Sequence, residues 1–189
     1  MGQLSLRELI LCALFVALVA VGALIRIPVG TDVFTLQFMF TLLAGLLLGP
    51  RLGATAVAVY ILLGLMGVPV FASGGGPGYI LQPTFGYLLG FVVQAWFCGW
   101  AARRGAVTFK RLLLINFGGM VIVYAFGLVW FYVISNYVID APVALYWVIL
   151  YCGILQIPPD ALLCVAAAAA AKRGLSAGIW LNPPRGTGR

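Results

Sequence analysis

One carboxylate stands apart in this chain. Asp160 follows Gln156-Ile157-Pro158-Pro159 and opens an apolar run rich in alanine. An acid placed centrally in a membrane-type helix costs about 2.5–3.5 kcal/mol on insertion scales, so it marks a site by default. The two prolines favour a helix start, where the positive dipole end and free N–H groups stabilise an anion. Two readings follow: Asp160 caps a re-started half-helix, or it accepts hydrogen bonds from N–H donors of a ligand. A second group of residues lies in the Gly67–Gly78 stretch, where Gly74-Gly75-Gly76-Pro77-Gly78 leads into Tyr79. Residues without a Cβ let backbone approach a ligand closely. Gln82-Pro83-Thr84-Phe85-Gly86-Tyr87 then supplies amide, hydroxyl and phenol groups. Together these predict a small amphipathic pocket.

Other chemistry is excluded by what the chain lacks. It has no His and only four acids, Glu8, Asp32, Asp140 and Asp160. Most general acid–base pairs, nucleophile–base pairs and His-containing metal sites therefore cannot be built. Cys12, Cys98, Cys152 and Cys164 fall in separate apolar segments without C-x-x-C spacing, as expected of small buried hydrophobes. The glycine run is followed by no Gly-Lys-Ser/Thr, so it is not a phosphate-binding loop. No metal, cofactor or enzymatic activity is expected.

The elements that position these groups follow from composition. Of 189 residues 64% are hydrophobic and 8% are charged, against about a quarter charged in ordinary soluble domains. The solvent for such a chain is the lipid bilayer. Continuous apolar runs argue for helices over a barrel. They fall at about 4–25, 33–48, 52–66, 79–102, 112–138 and 143–171, separated by Pro, Gly and charged residues. At roughly 20 residues per span, this predicts a single all-α integral membrane domain of six transmembrane helices. The second and third runs are short, which a bilayer tolerates where backbone is buried or lines a cavity.

Charge sets the orientation. With six spans, Arg7, Arg51, Arg103, Arg104, Lys110, Arg111, Lys172, Arg173, Arg185 and Arg189 share one side, and Arg26 alone lies opposite with Asp32 and Asp140. Cations accumulate on the cytoplasmic side, so both termini are expected there and the glycine stretch outside. The +7 net charge thus reads as topology and not as a nucleic-acid surface. Cleavage of the first segment as a signal peptide would spoil the alternation. In that segment Ala13-x-x-x-Ala17 puts two small side chains on one helix face, suited either to packing within the bundle or to a partner helix.

Taken in order, the motifs resemble the BioY family, the substrate-binding S components of energy-coupling factor (ECF) biotin transporters. The resemblance rests on Ile27-Pro28-Val29-Gly30 with Thr35-Leu36-Gln37, Leu47 to Gly53, Gly67-Val68-Pro69-Val70-Phe71, Gln82 to Phe91, and Ile157-Pro158-Pro159-Asp160. It implies an ECF S-component-like bundle that captures biotin from outside and works with a membrane-embedded T component and two cytoplasmic ABC-type ATPases. It also implies that Ala13 and Ala17 meet the T component, and that Asp160 accepts from the biotin ureido N–H groups. The candidate ligand contacts are Asp160, Gly74, Gly75, Gly76, Tyr79, Gln82, Tyr87, Gln37, Gln156 and Arg26. Pro159, Leu163 and Leu88 stand where family members commonly have Gly, Lys and, in some, Arg. A ligand carboxylate then falls to Arg26 or to glycine-loop N–H groups, or the ligand lacks a carboxylate. A related vitamin or biotin precursor, and a non-transporting membrane scaffold, are the alternative functions.

Overall fold

The computed structural model of the chain describes residues 5–29 and 32–181, with backbone alone for 26–29 and 32–34. It is a bundle of apolar helices. The first, α1 (Leu6–Leu24), starts at a capping box: Glu8 N–H donates to Ser5 Oγ, and Ser5 N–H donates to Glu8 Oε2 at 2.8 Å. It buries Phe15, Val19, Gly22 and Ala23, yet Leu6, Ile10, Leu14 and Val21 on its other side are exposed. A helix apolar all round belongs in lipid.

Next comes a short antiparallel hairpin, β1 (Arg26–Val29) and β2 (Asp32–Thr35), pairing Arg26 with Thr35. The second helix, expected from residue 33, therefore begins later, as α2 (Gln37–Leu48). The run Val33-Phe34-Thr35 is β-branched and aromatic, and packs better on a pleated ribbon than in a helix. The third helix, α3 (Pro50–Leu65), carries its proline at the first position, where no N–H is missed.

After α3 the glycine stretch leads into a 3-10 turn, Pro77–Leu81, and then α4 (Phe85–Ala102). A continuous helix from Tyr79 is not formed. Pro83 excludes the preceding residue from the α region, and Gln82 is extended at φ −71°, ψ 136°. The long α5 (Phe109–Tyr137) follows. The last apolar run is broken: α6 (Leu145–Cys152), a 3-10 turn over Ile154–Gln156, and α7 (Ile157–Ser176). Pro158 and Pro159 lack N–H groups, so this internal helix start leaves fewer donors to satisfy.

Among the described residues, four helical stretches are long and apolar enough to cross a membrane: Leu6–Leu24, Phe85–Ala102, Phe109–Tyr137, and Leu145–Ser176 taken through its break. The apolar helices α2 and α3 are shorter, 12 and 16 residues. A 12-residue helix rises about 18 Å, too little for a core of about 30 Å. Ten of the α2 residues are buried, and it packs against α1, α3, α4 and α7. Protein surrounds it, so its short length leaves no backbone in lipid.

Where α7 ends, the chain folds back as a strap over Ala177–Leu181. Trp180 and Leu181 are buried, Leu181 N–H donates to Leu47 O at 2.9 Å, and Trp180 Nε1 donates to Ala171 O at 2.7 Å. Arg103, at the end of α4, donates to the carbonyls of Leu46, Leu47, Gly99 and Leu181. Burial pulls its pKa down to about 10, which leaves it charged at neutral pH.

Candidate functional site

The break before α7 and the loop after α3 meet at one end of the bundle and enclose a cavity of about 240 Å³. Gln37 and Phe38 at the start of α2 form one wall, and Tyr87, Leu88 and Phe91 of α4 another. Tyr79 and Gln82 come from the 3-10 turn and its cap, and Gln156 and Asp160 from the α7 start. Phe38 and Phe91 approach to 6.3 Å between ring centres, giving the cavity an apolar surface beside its amides and phenols. Six of the ten candidate contacts thus line one space: Gln37, Tyr79, Gln82, Tyr87, Gln156 and Asp160.

Asp160 lies in the first turn of α7 and is 8% exposed. The Tyr124 hydroxyl, from α5, donates to Asp160 Oδ2 at 2.7 Å. Such a charge-assisted bond orients a carboxylate and offsets part of its desolvation. Tyr87 serves differently: its hydroxyl donates to Cys152 O at 2.8 Å, tying α4 to the last residue of α6 just ahead of the break. Gln37 is 3% exposed, and its Nε2 has no hydrogen-bond partner among the described residues. An orphaned buried donor on a cavity wall is a group awaiting an acceptor.

The three glycines take a different place from the one expected. Among described residues, the loop presents Ala72 and Ser73 to the cavity, while Gly74, Gly75 and Gly76 are absent from its lining. They hold the loop folded. Gly74 and Gly76 have φ of +111° and +107°, and Gly75 lies against Val68 O where a Cβ would collide. Phe71 N–H donates to Gly74 O at 2.9 Å and Gly76 N–H to Gly64 O at 2.7 Å. The result is a plug around buried Phe71, whose ring sits 4.4 Å from that of Tyr79 and 5.5 Å from that of Tyr60.

Arg26 is placed only by its backbone, which pairs with Thr35, itself a lining residue; its side chain, like Arg185 and Arg189, lies outside the described residues. No Lys or Arg lines the cavity among the described residues, and Leu88 does. Leu163 joins the buried core instead. Ala13 and Ala17 are exposed on α1, so they do not serve packing within the bundle. No cluster of three His, Cys, Asp or Glu able to hold a metal occurs among the described residues.

Thr84, whose hydroxyl the sequence offered to the pocket, lines the cavity, as do Tyr124, Thr35 and Ser73, which were not among the candidate contacts. Tyr124 shares its side of α5 with Asn116, eight residues earlier and fully buried in the structure. Its Nδ2 donates to Cys164 O at 2.8 Å, so this face of α5 turns polar groups towards α7 twice.

Comparison with known proteins agrees with this architecture. A solved structure, the S-component for biotin from an ECF-type ABC transporter, superposes with a TM-score of 0.77 over 90% of this chain and 91% of its own, at 24% identity. The "Probable biotin transporter BioY" of Lysinibacillus sphaericus is 42% identical over 172 residues, 90% of this chain and 88% of that protein. The "Biotin transporter BioY" of Thermotoga maritima is 43% identical over 136 residues, 71% of this chain and 78% of that one. The model of the BioY family matches residues 1–178. A bundle whose final helix is broken ahead of a buried acid, matched over nearly its whole length by that model, belongs to the BioY family.

Proposed function

We propose that this chain is the substrate-capture subunit of an ECF-type importer. It takes biotin from the outer side of a bacterial or archaeal plasma membrane and passes it inward with a T component and two cytoplasmic ATPases. The observation that carries the reading is Asp160, a buried carboxylate on the cavity wall oriented by Tyr124. A carboxylate accepts from two neighbouring N–H groups, the pattern a cyclic urea offers. The names of the relatives in Lysinibacillus sphaericus and Thermotoga maritima support the same ligand.

In the membrane, α2 and α3 complete six passes with the four long stretches. The described cations at the α1 start, the α2–α3 junction, the α4–α5 junction and the α7 end then lie together on the cytoplasmic side, with both termini. The pocket opens on the opposite, outer side. Arg26 is the first choice for a ligand carboxylate, since its backbone pairs with a lining residue. The absence of a cation among the described lining residues favours a second reading, a biotin-like ligand whose carboxylate is not read.

Calorimetric titration of purified wild type, Asp160→Asn and Arg26→Ala with biotin and biotin amide separates these readings. Asp160→Asn is expected to lose about 100-fold in affinity, since each hydrogen bond to a charged group is worth roughly 1.5–3 kcal/mol. Full affinity with a lowered melting temperature would reduce Asp160 to a helix cap. Equal binding of acid and amide, with Arg26→Ala unchanged, would establish the second reading. No binding of either by the folded wild type would leave a related vitamin as ligand or a membrane scaffold, which a panel of vitamin competitors separates.

A further inference from the structure

The α4–α5 junction carries three arginines, and the fold uses only two of them. Arg103 donates to four carbonyls, and Arg111 donates to those of Ala101 and Ala106. Arg104 is exposed, and its side chain donates to no acceptor among the described residues. It is nevertheless held in place: the guanidinium carbon lies 3.8 Å from the centre of the Trp100 ring. A guanidinium on an aromatic face is fixed in direction while its edge N–H groups stay available.

The surroundings define what those donors would meet. Trp96, one turn earlier on α4 and 47% exposed, stacks on Trp100 with ring centres 6.0 Å apart and planes 18° apart. Lys110, exposed, opens α5 on the other side of the short junction. Neither Arg104 nor Lys110 makes an ion pair among the described residues: Glu8 is bonded to Ser5 at the start of α1, Asp160 lies in the cavity, Asp140 follows the far end of α5, and Asp32 is placed by its backbone in β2. Cationic donors are thus fixed at the edge of a lipid-facing helix, with an apolar aromatic surface one turn deeper, about 6 Å.

We infer that Trp100, Arg104 and Lys110 form a headgroup site for an anionic phospholipid. The phosphate accepts from the Arg104 edge, Lys110 adds a second positive charge, and Trp96 covers the upper part of an acyl chain. A free phosphate would gain nothing from Trp96, and a neutral headgroup would gain little from an unopposed pair of cations. The site lies apart from the ligand cavity and stands whether or not biotin is the ligand; it rests only on the bundle being embedded in lipid.

Native mass spectrometry of the detergent-purified chain, titrated with phosphatidylglycerol and phosphatidylcholine of matched acyl chains, tests it. Wild type should retain phosphatidylglycerol preferentially. R104Q should bind it about fivefold more weakly, the factor expected when one cation at an anionic lipid surface is neutralised, with phosphatidylcholine unaffected. K110Q should act in the same direction, and both variants should keep the wild-type melting temperature and biotin affinity. Equal retention of the two lipids by wild type, or a preference that survives R104Q and K110Q together, would overturn the proposal. So would displacement of the lipid by excess inorganic phosphate. If the variants keep the lipid preference but fail to assemble with the T component, the patch is a protein interface and the lipid site is refuted.

Discussion

The hydroxyl of Tyr124 joins a helix otherwise built for lipid to the acid at the mouth of α7, through one bond of 2.7 Å to Asp160 Oδ2. Tyr124→Phe keeps the ring and removes that donor. Biotin affinity is expected to fall about tenfold, or 1.4 kcal/mol, measured by titration, while the melting temperature stays within a few degrees. Unchanged affinity would mean the bond serves packing only. Asp160 was legible because it is one of four acids in an apolar chain. Tyr124 was not, because it is one of eight tyrosines and sits within a 29-residue apolar helix. Its role follows from which turn of α5 faces α7, and pairwise helix packing is not written in local spacing.

At the scale of elements, the loop after α3 behaves as a folded plug. Gly76, at φ +107° and ψ 164°, occupies a region almost restricted to glycine, with nothing near its missing Cβ. Gly76→Ala is therefore expected to destabilise the protein through backbone strain alone, by about 1–3 kcal/mol. Gly78→Ala, open on all sides and without a positive φ, should be neutral. Thermal melts of the two variants, with ligand affinity read in parallel, check this; equal melts would show that the loop relaxes. Helices bounded by Gly and Pro were readable to within a few residues, and so was the break at Pro158-Pro159. The hairpin was not, since Ile27, Val29, Val33 and Phe34 read as apolar run in either conformation. The glycine run pointed to close approach, but the partner turned out to be the loop's own backbone.

For the whole molecule, Ala13 and Ala17 lie on the exposed side of α1, away from Phe15 and Val19, which face the bundle. As the proposed contact with the T component, this face should tolerate Ala17→Leu without loss of biotin binding by the isolated chain. Uptake of labelled biotin by cells carrying all the partners should then fall at least about tenfold, as expected when a close helix crossing is blocked by a larger side chain. Uptake at wild-type level would remove α1 from the interface.

The strap that closes the other end of the bundle bears on how the protein is made. Arg103 leaves the ribosome 78 residues ahead of Leu181, whose carbonyl accepts its shortest bond at 2.6 Å. Until that late segment emerges, half-buried Arg103 has only the carbonyls of Leu46, Leu47 and Gly99, and the amino-proximal helices stand without their fastening. Synthesis of Trp180 and Leu181 is thus the step that locks them, and a product that stops short of Trp180 enters the bilayer with that clasp undone.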